Sequence, residues 1–167
     1  MKLENHSEVE SINLDLEGQG ALFESVPAIQ GDVVHNLGYT GDGINVGVLD
    51  SGVNFNHPDL SESIVHQYHF LNQGADVGSG APDQHGHGSN VIGIITSDGT
   101  IASKGVAPDA NIVAIRVLDQ NNRGLVSDWI AGVNYIVANN ATLTKIEEFS
   151  CYYLYDNYTH MRSTRPV

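Results

Sequence analysis

The chain has 167 residues, enough for one domain with a buried core, and 41% of them are hydrophobic. Twenty acidic residues against seven basic ones give a net charge of −13, which repels nucleic acid and anionic membranes. No apolar run approaches the length of a membrane span, and residues 1–7 are polar, so we expect neither a membrane helix nor a signal peptide. The single cysteine, Cys151, excludes an intrachain disulfide framework.

The first 50 residues lead to a strand that ends in a carboxylate. Residues 1–20 are polar and acidic, with too short an apolar alternation to fold alone. Within residues 22–37, Val33 and Val34 followed by Leu37 predict one short helix, and residues 44–49 alternate as expected of a mostly buried strand. Asp50 follows at the strand tip, beside a tight turn. Taken alone, Asp50 either caps the next segment or holds a catalytic partner, since sites gather where parallel strands end.

The middle of the chain alternates between predicted strands and helices. We predict a second strand over residues 64–71, a loop over residues 72–84, and a buried helix whose first turn carries His87. Residues 111–118 have the continuous apolar character of a central parallel strand. This alternation is typical of an α/β fold with a parallel sheet.

A last helix is predicted from Val126, with Ser127 or Asp128 as its cap and Trp129 in the core. Its apolar face comprises positions 126, 129, 130, 133, 136 and 137. Beyond Thr142 no periodicity is visible, and we expect no regular structure there.

Asp50 and His87, 37 residues apart, are two members of an Asp-His-Ser relay, if their strand tip and helix start meet. A zinc site is the alternative. His85 and His87 are separated by one residue, and Asp83 or His57 would supply a further ligand, but no fourth ligand has helical spacing.

Several motifs resemble the subtilisin family of serine proteases. The segment Val-Leu-Asp-Ser-Gly at residues 48–52 resembles the family's aspartate motif, and Asn-His-Pro-Asp-Leu at residues 56–60 resembles the segment that follows it. His-Gly-Ser-x-Val-x-Gly at residues 87–93 matches the histidine motif, and Gly-Val-Ala-Pro at residues 105–108 continues the match. Residues 9–12 resemble the last strand of the family's inhibitory propeptide.

The resemblance implies a division of the chain. Residues 1–20 would be a propeptide remnant or an N-terminal extension, and residues 21–145 the N-terminal part of a subtilisin-like peptidase domain. Residues 146–167 are an unmatched tail. The implied fold is α/β, a parallel-sheet, three-layer subtilisin-like fold that is incomplete because its C-terminal half is missing.

The resemblance also implies residue roles. His87 would be the general base, and Asp50 would fix the imidazole tautomer. Asn122, Arg123 and Gly124 would form the strand that pairs with the backbone of a peptide or protein substrate. No cofactor is required. Asp59 stands where relatives bind calcium, but one carboxylate is a poor calcium site, and capping the turn after Pro58 is the alternative role.

The nucleophile motif of the family, of the type Gly-Thr-Ser-Met-Ala, does not occur in these residues, and Ser150 is a poor substitute because no glycine adjoins it. We therefore expect a serine endopeptidase by ancestry, secreted like its family, that is truncated and inactive as this chain. The alternative is a non-catalytic fragment that binds or inhibits a protease. Glu147 and Glu148 stand where a buried strand belongs, so we interpret the tail as a reading-frame change or a gene break.

Overall fold

The computed structural model describes residues 22–139 and 146–151. The helices are α1 (Leu22–Ala28), α2 (Gly31–Asn36), α3 (His87–Thr96) and α4 (Val126–Asn139). The strands are β1 (Asn45–Asp50), β2 (Ile64–Leu71), β3 (Asp76–Ser79), β4 (Asn111–Arg116) and β5 (Ile146–Cys151). The expected N-terminal extension, residues 1–20, lies outside the described residues.

The strands form one sheet in the order β3-β2-β4-β1-β5. The strands β2, β4, β1 and β5 are parallel to one another, and β3 at the edge is antiparallel to β2. All six residues of β1 are buried, as expected of a strand covered on both faces. The predicted α/β class with a mostly parallel sheet is confirmed.

Each face of the sheet has its own core. On one face, Val46 and Val48 of β1 belong to the same cluster as Ile92 of α3. On the other face, Leu49 packs in a cluster that includes Trp129 and Ile136 of α4. Successive strand residues point to opposite faces, so the alternation that predicted β1 also distributes its side chains between two helical layers. This is the predicted three-layer arrangement, and Trp129 is buried as expected.

The short helix predicted around Val33, Val34 and Leu37 is confirmed as α2, whereas α1, earlier in residues 22–37, was not predicted. Two short helices form there, because Gln30 adopts a left-handed conformation with φ 61° that interrupts the helical path. Gly31 then starts α2 in close contact with Val26, where a side chain would not fit.

The prediction that residues 72–84 form only a loop was wrong, because β3 pairs with the edge of β2. The pairing runs from Tyr68 opposite Ser79 to Leu71 opposite Asp76. This four-residue strand has no apolar alternation, and its pairing depends on the backbone edge that β2 offers. The tail likewise contains a strand, β5, where no regular structure was expected. It pairs with the edge of β1 opposite β4, with Ser150 in register with Val48.

The expected apolar face of α4 is only partly buried. Trp129 and Ile136 are in the core, but four of the six positions are 38–64% exposed: Val126, Ile130, Val133 and Val137. The buried side is centred on Gly132, whose missing side chain lets the helix approach Leu49 and Ile115 closely. Asp128, one of the two predicted caps, is buried and accepts a hydrogen bond from the backbone N–H of Gly74. None of the helices in the described ranges is both long and apolar enough to cross a membrane.

Candidate active site

The tip of β1 and the start of α3 bring Asp50 and His87 together. The imidazole Nδ1 of His87 lies 2.7 Å from Oδ1 of Asp50, so the contact expected from the spacing of the motifs is present. Asp50 is 2% exposed, whereas the side chain of His87 is 28% exposed. A carboxylate can only accept, so this contact requires a proton on Nδ1, which in a neutral imidazole leaves the lone pair on Nε2. This tautomer is the one that a general base acting through Nε2 requires.

The turn after β1 holds the carboxylate in place. The backbone N–H of Ser51 donates to the same Oδ1 of Asp50 at 2.6 Å. Gly52 has φ 108°, and the first turn of α3 lies directly against it because Gly88 has no side chain. Gly88 therefore allows the close approach of α3 to the strand tip, and a side chain there would push His87 away from Asp50. A side chain on Gly52 would instead meet the backbone of Ala81 and Pro82.

Sequence reasoning missed the part played by Asp83, which it considered only as a zinc ligand. Its carboxylate accepts hydrogen bonds from the hydroxyls of Ser51 and Ser89 and from the backbone N–H groups of His85, Gly86 and Ser89. The signal for this role was an acidic residue shortly before a helix whose N-cap, Gly86, has no side chain.

The zinc alternative is not assembled. Among the residues that the structure describes, no group of three or more His, Cys, Asp or Glu side chains is placed to hold a metal ion. His85 is exposed, with its ring centroid 6.4 Å from that of His87. The oxygens of Asp83 are occupied by the donors that organise the start of α3.

Asp59 has the surroundings of a structural carboxylate instead of a calcium ligand. It is 2% exposed, and its two oxygens accept from the backbone N–H groups of Ile101 and Ala102, both at 2.7 Å, and from the hydroxyl of Ser97. Burial alone would raise its pKa, but these hydrogen bonds outweigh burial and lower it. N–H donors repel a cation, so the donor set does not fit calcium, and Asp59 instead fixes the loop after α3.

Asn122, Arg123 and Gly124 lie in a turn outside the strands of the sheet, and their pairing with a substrate backbone stays a prediction. Asn122 has φ 59° within a turn closed by a hydrogen bond from the backbone N–H of Asp119 to the carbonyl of Arg123. The Asp119 carboxylate accepts from the backbone N–H of Arg123, and such contacts lower the pKa of Asp119. Gly124 lies tightly against the backbone of Val117, where a side chain would not fit.

A surface cavity of about 540 Å³ borders this turn. Arg123 and Gly124 line it together with the nearly buried side chains of Arg116 and Asp128. The guanidinium of Arg116 donates hydrogen bonds to the carbonyls of Leu118 and Pro82 and to the side-chain oxygen of Gln84, all of which are neutral acceptors.

Comparison with known proteins decides the family. Residues 41–144 match the profile of the Subtilase family, peptidase S8. The chain belongs to this family of serine peptidases.

Two relatives and one solved structure show how much of a subtilase the chain represents. The Minor extracellular protease Vpr of Bacillus subtilis (strain 168) is 37% identical over 130 residues, which are 74% of this chain and 16% of that protein. Subtilisin E of the same organism is 35% identical over 126 residues, 70% of this chain and 31% of that protein. The solved structure of Sphericase matches with a TM-score of 0.57 and 33% identity, covering 62% of this chain and 34% of its own. The chain thus spans less than half the length of these relatives.

Proposed function

We propose that Asp50 and His87 are two members of the Asp-His-Ser relay of a subtilase endopeptidase, whose serine is not among these 167 residues. The 2.7 Å contact between Nδ1 of His87 and Oδ1 of Asp50 carries this proposal. In it, Nε2 of His87 takes the proton of a serine hydroxyl as the serine oxygen attacks the peptide carbonyl, and then returns that proton to the leaving amine. Asp50 stays ionised and stabilises the imidazolium between these two steps.

The substrate in this proposal is a peptide or protein, and the working enzyme is extracellular, as the name of the relative Vpr says of that protein. Asn122, Arg123 and Gly124 would border the bound substrate and pair with its backbone once it is present. The chain by itself would not hydrolyse peptides, because His87 has no serine hydroxyl of the family motif to activate.

A second candidate is a non-catalytic module that binds or inhibits a protease. The four exposed apolar residues of α4, which are Val126, Ile130, Val133 and Val137, favour it because an apolar stripe of this kind suits a protein contact. Inhibition of a protease by the isolated chain, lost when Ile130 and Val137 are both changed to Ser, would support this candidate.

The proposed relay is tested by a chimera in which residues 41–139 replace the matching segment of subtilisin E, which supplies the serine. We expect peptide hydrolysis and labelling by an organophosphorus probe, with neither from the isolated chain. Asp50→Asn should lower kcat by about 10⁴-fold, as in other triads, and His87→Ala should have at least as large an effect. Asp98→Asn, a change at a partly buried residue in the same segment, is the control and should leave turnover unchanged. An active chimera that is insensitive to His87→Ala would refute the proposal.

A further inference from the structure

Asp83 connects the two elements that carry the catalytic pair. Its Oδ1 accepts from the hydroxyl of Ser51 at 2.9 Å, from the N–H of His85 at 3.0 Å and from the N–H of Gly86 at 2.8 Å. Its Oδ2 accepts from the N–H and the hydroxyl of Ser89 at 2.9 and 2.6 Å. One carboxylate therefore binds the residue that follows Asp50 and the residues on both sides of His87.

This arrangement acts as a cap for α3 that is supplied from outside the helix. The N-cap residue Gly86 has φ 99° and no side chain, so the first N–H groups of α3 lack the usual local acceptor. Asp83 accepts from Ser89, the third residue of the helix, and the hydroxyl of Ser51 accepts from Gly88, the second. Ser51 thus donates to Asp83 and accepts from the helix with the same hydroxyl group.

The charge of Asp83 suits this position. Burial alone would raise its pKa, but the hydrogen bonds from Ser89, Gly86 and His85 outweigh burial and lower it. The carboxylate is therefore ionised at neutral pH, at a helix N-terminus whose dipole favours a negative charge.

We propose that Asp83 is a positioning residue for the Asp50–His87 pair. Through Ser51 it anchors the first turn of α3 to the tip of β1, and this anchor sets the direction in which the Nδ1–H of His87 points. Loss of the anchor would leave both catalytic side chains present while the hydrogen bond between them opens more often. The inference rests on the proposed relay, since it assigns Asp83 a role in that site.

Asp83→Asn is the informative variant, because it keeps the shape of the side chain but turns one acceptor into an NH₂ donor. At least two of the five donors then face a donor instead of an acceptor. The readout is the far-downfield proton NMR signal of His87 Nδ1–H in the full chain, with its solvent exchange rate. The amide signals of β1 report separately on whether the sheet is intact.

We expect exchange of the Nδ1 proton to become about tenfold faster or more in Asp83→Asn, with the β1 amides unchanged. The matched control is Asp98→Asn beyond the other end of α3, where the carboxylate accepts only from Thr100 among the described residues, and it should behave as wild type. If Asp83→Asn does not fold, Ser51→Ala replaces it, because this change cuts only the hydroxyl link.

The outcomes separate two failures. If the Nδ1 signal is absent from the wild-type chain, the Asp50–His87 pair itself is not formed, and the proposed relay fails. In the other failure the signal is present, its exchange is unchanged in Asp83→Asn, and the amides of Gly86 and Ser89 lose protection. Asp83 then only caps the helix, and the same reading applies to Ser51→Ala where that variant is used. That second result would overturn the positioning role and leave the relay intact.

Discussion

Two glycines of α3 offer a sharp test of how the site is assembled. A Cβ atom on Gly88 would overlap the carbonyl oxygen of Gly52, far inside the 3.0 Å that real Cβ atoms keep. The atom in the way is backbone in the turn that follows Asp50, so no flexible side chain can move aside. Gly93, in the same helix, has no atom within 4 Å of such a position. Gly88→Ala and Gly93→Ala are therefore the same chemical change in one helix with opposite surroundings.

The two substitutions are expected to change the free energy of unfolding in opposite directions. In Gly88→Ala the start of α3 must retreat by roughly 1 Å, which costs about 1–3 kcal/mol as overpacking. The same retreat stretches the 2.7 Å contact of His87 with Asp50 beyond hydrogen-bond range. Losing that bond to a charged group costs about 1.5–3 kcal/mol, and the helix propensity of alanine returns about 1 kcal/mol. We expect a net loss of about 2–5 kcal/mol, against a gain of about 0.5–1 kcal/mol for Gly93→Ala.

The assay is urea unfolding of the full chain followed by circular dichroism, with the slope of the transition checked for two-state behaviour. Proton NMR of His87 Nδ1–H shows whether the contact between Asp50 and His87 is lost in Gly88→Ala. Equal or higher stability of Gly88→Ala relative to Gly93→Ala would refute the close approach of α3 to the β1 turn.

Three further predictions concern polar groups that are buried or partly buried. Asp59→Asn should lower the urea midpoint equally with and without calcium, and a calcium-dependent difference would contradict this. Because the pKa of Asp59 is lowered in the folded state, its contribution to stability is present above the unfolded value of 3.8 and is lost in acid, so the variant should lose less stability than wild type as the pH falls below about 4. Burial lowers the pKa of His66 below 6.5, so stability should fall as the pH drops below 6.5, and His66→Gln should weaken that fall in the same unfolding measurement. Arg116→Met should cost about 2–3 kcal/mol in urea, because the carbonyls of Leu118 and Pro82 lose their donor; an unchanged midpoint would show that water replaces it.

The sequence alone determined the elements that carry Asp50 and His87. The alternation before Asp50 and the small residues around His87 are local signals, and each predicts an element without knowledge of the rest of the chain. The spacing of these motifs was specific enough to indicate the family. The continuous apolar run of β4 likewise indicated a central strand, because such a strand is buried on both faces.

Only the tertiary structure decided features that depend on partners distant in sequence. The strand β3 forms on the backbone edge of β2, and the carboxylate of Asp59 takes its donors from a loop about 40 residues away. The same holds for Asp83, whose role needs the hydroxyl of Ser51, 32 residues earlier. Backbone N–H groups and strand edges are the same in every sequence, so no residue pattern records which carboxylate or segment will satisfy them, and only the folded chain brings the two together.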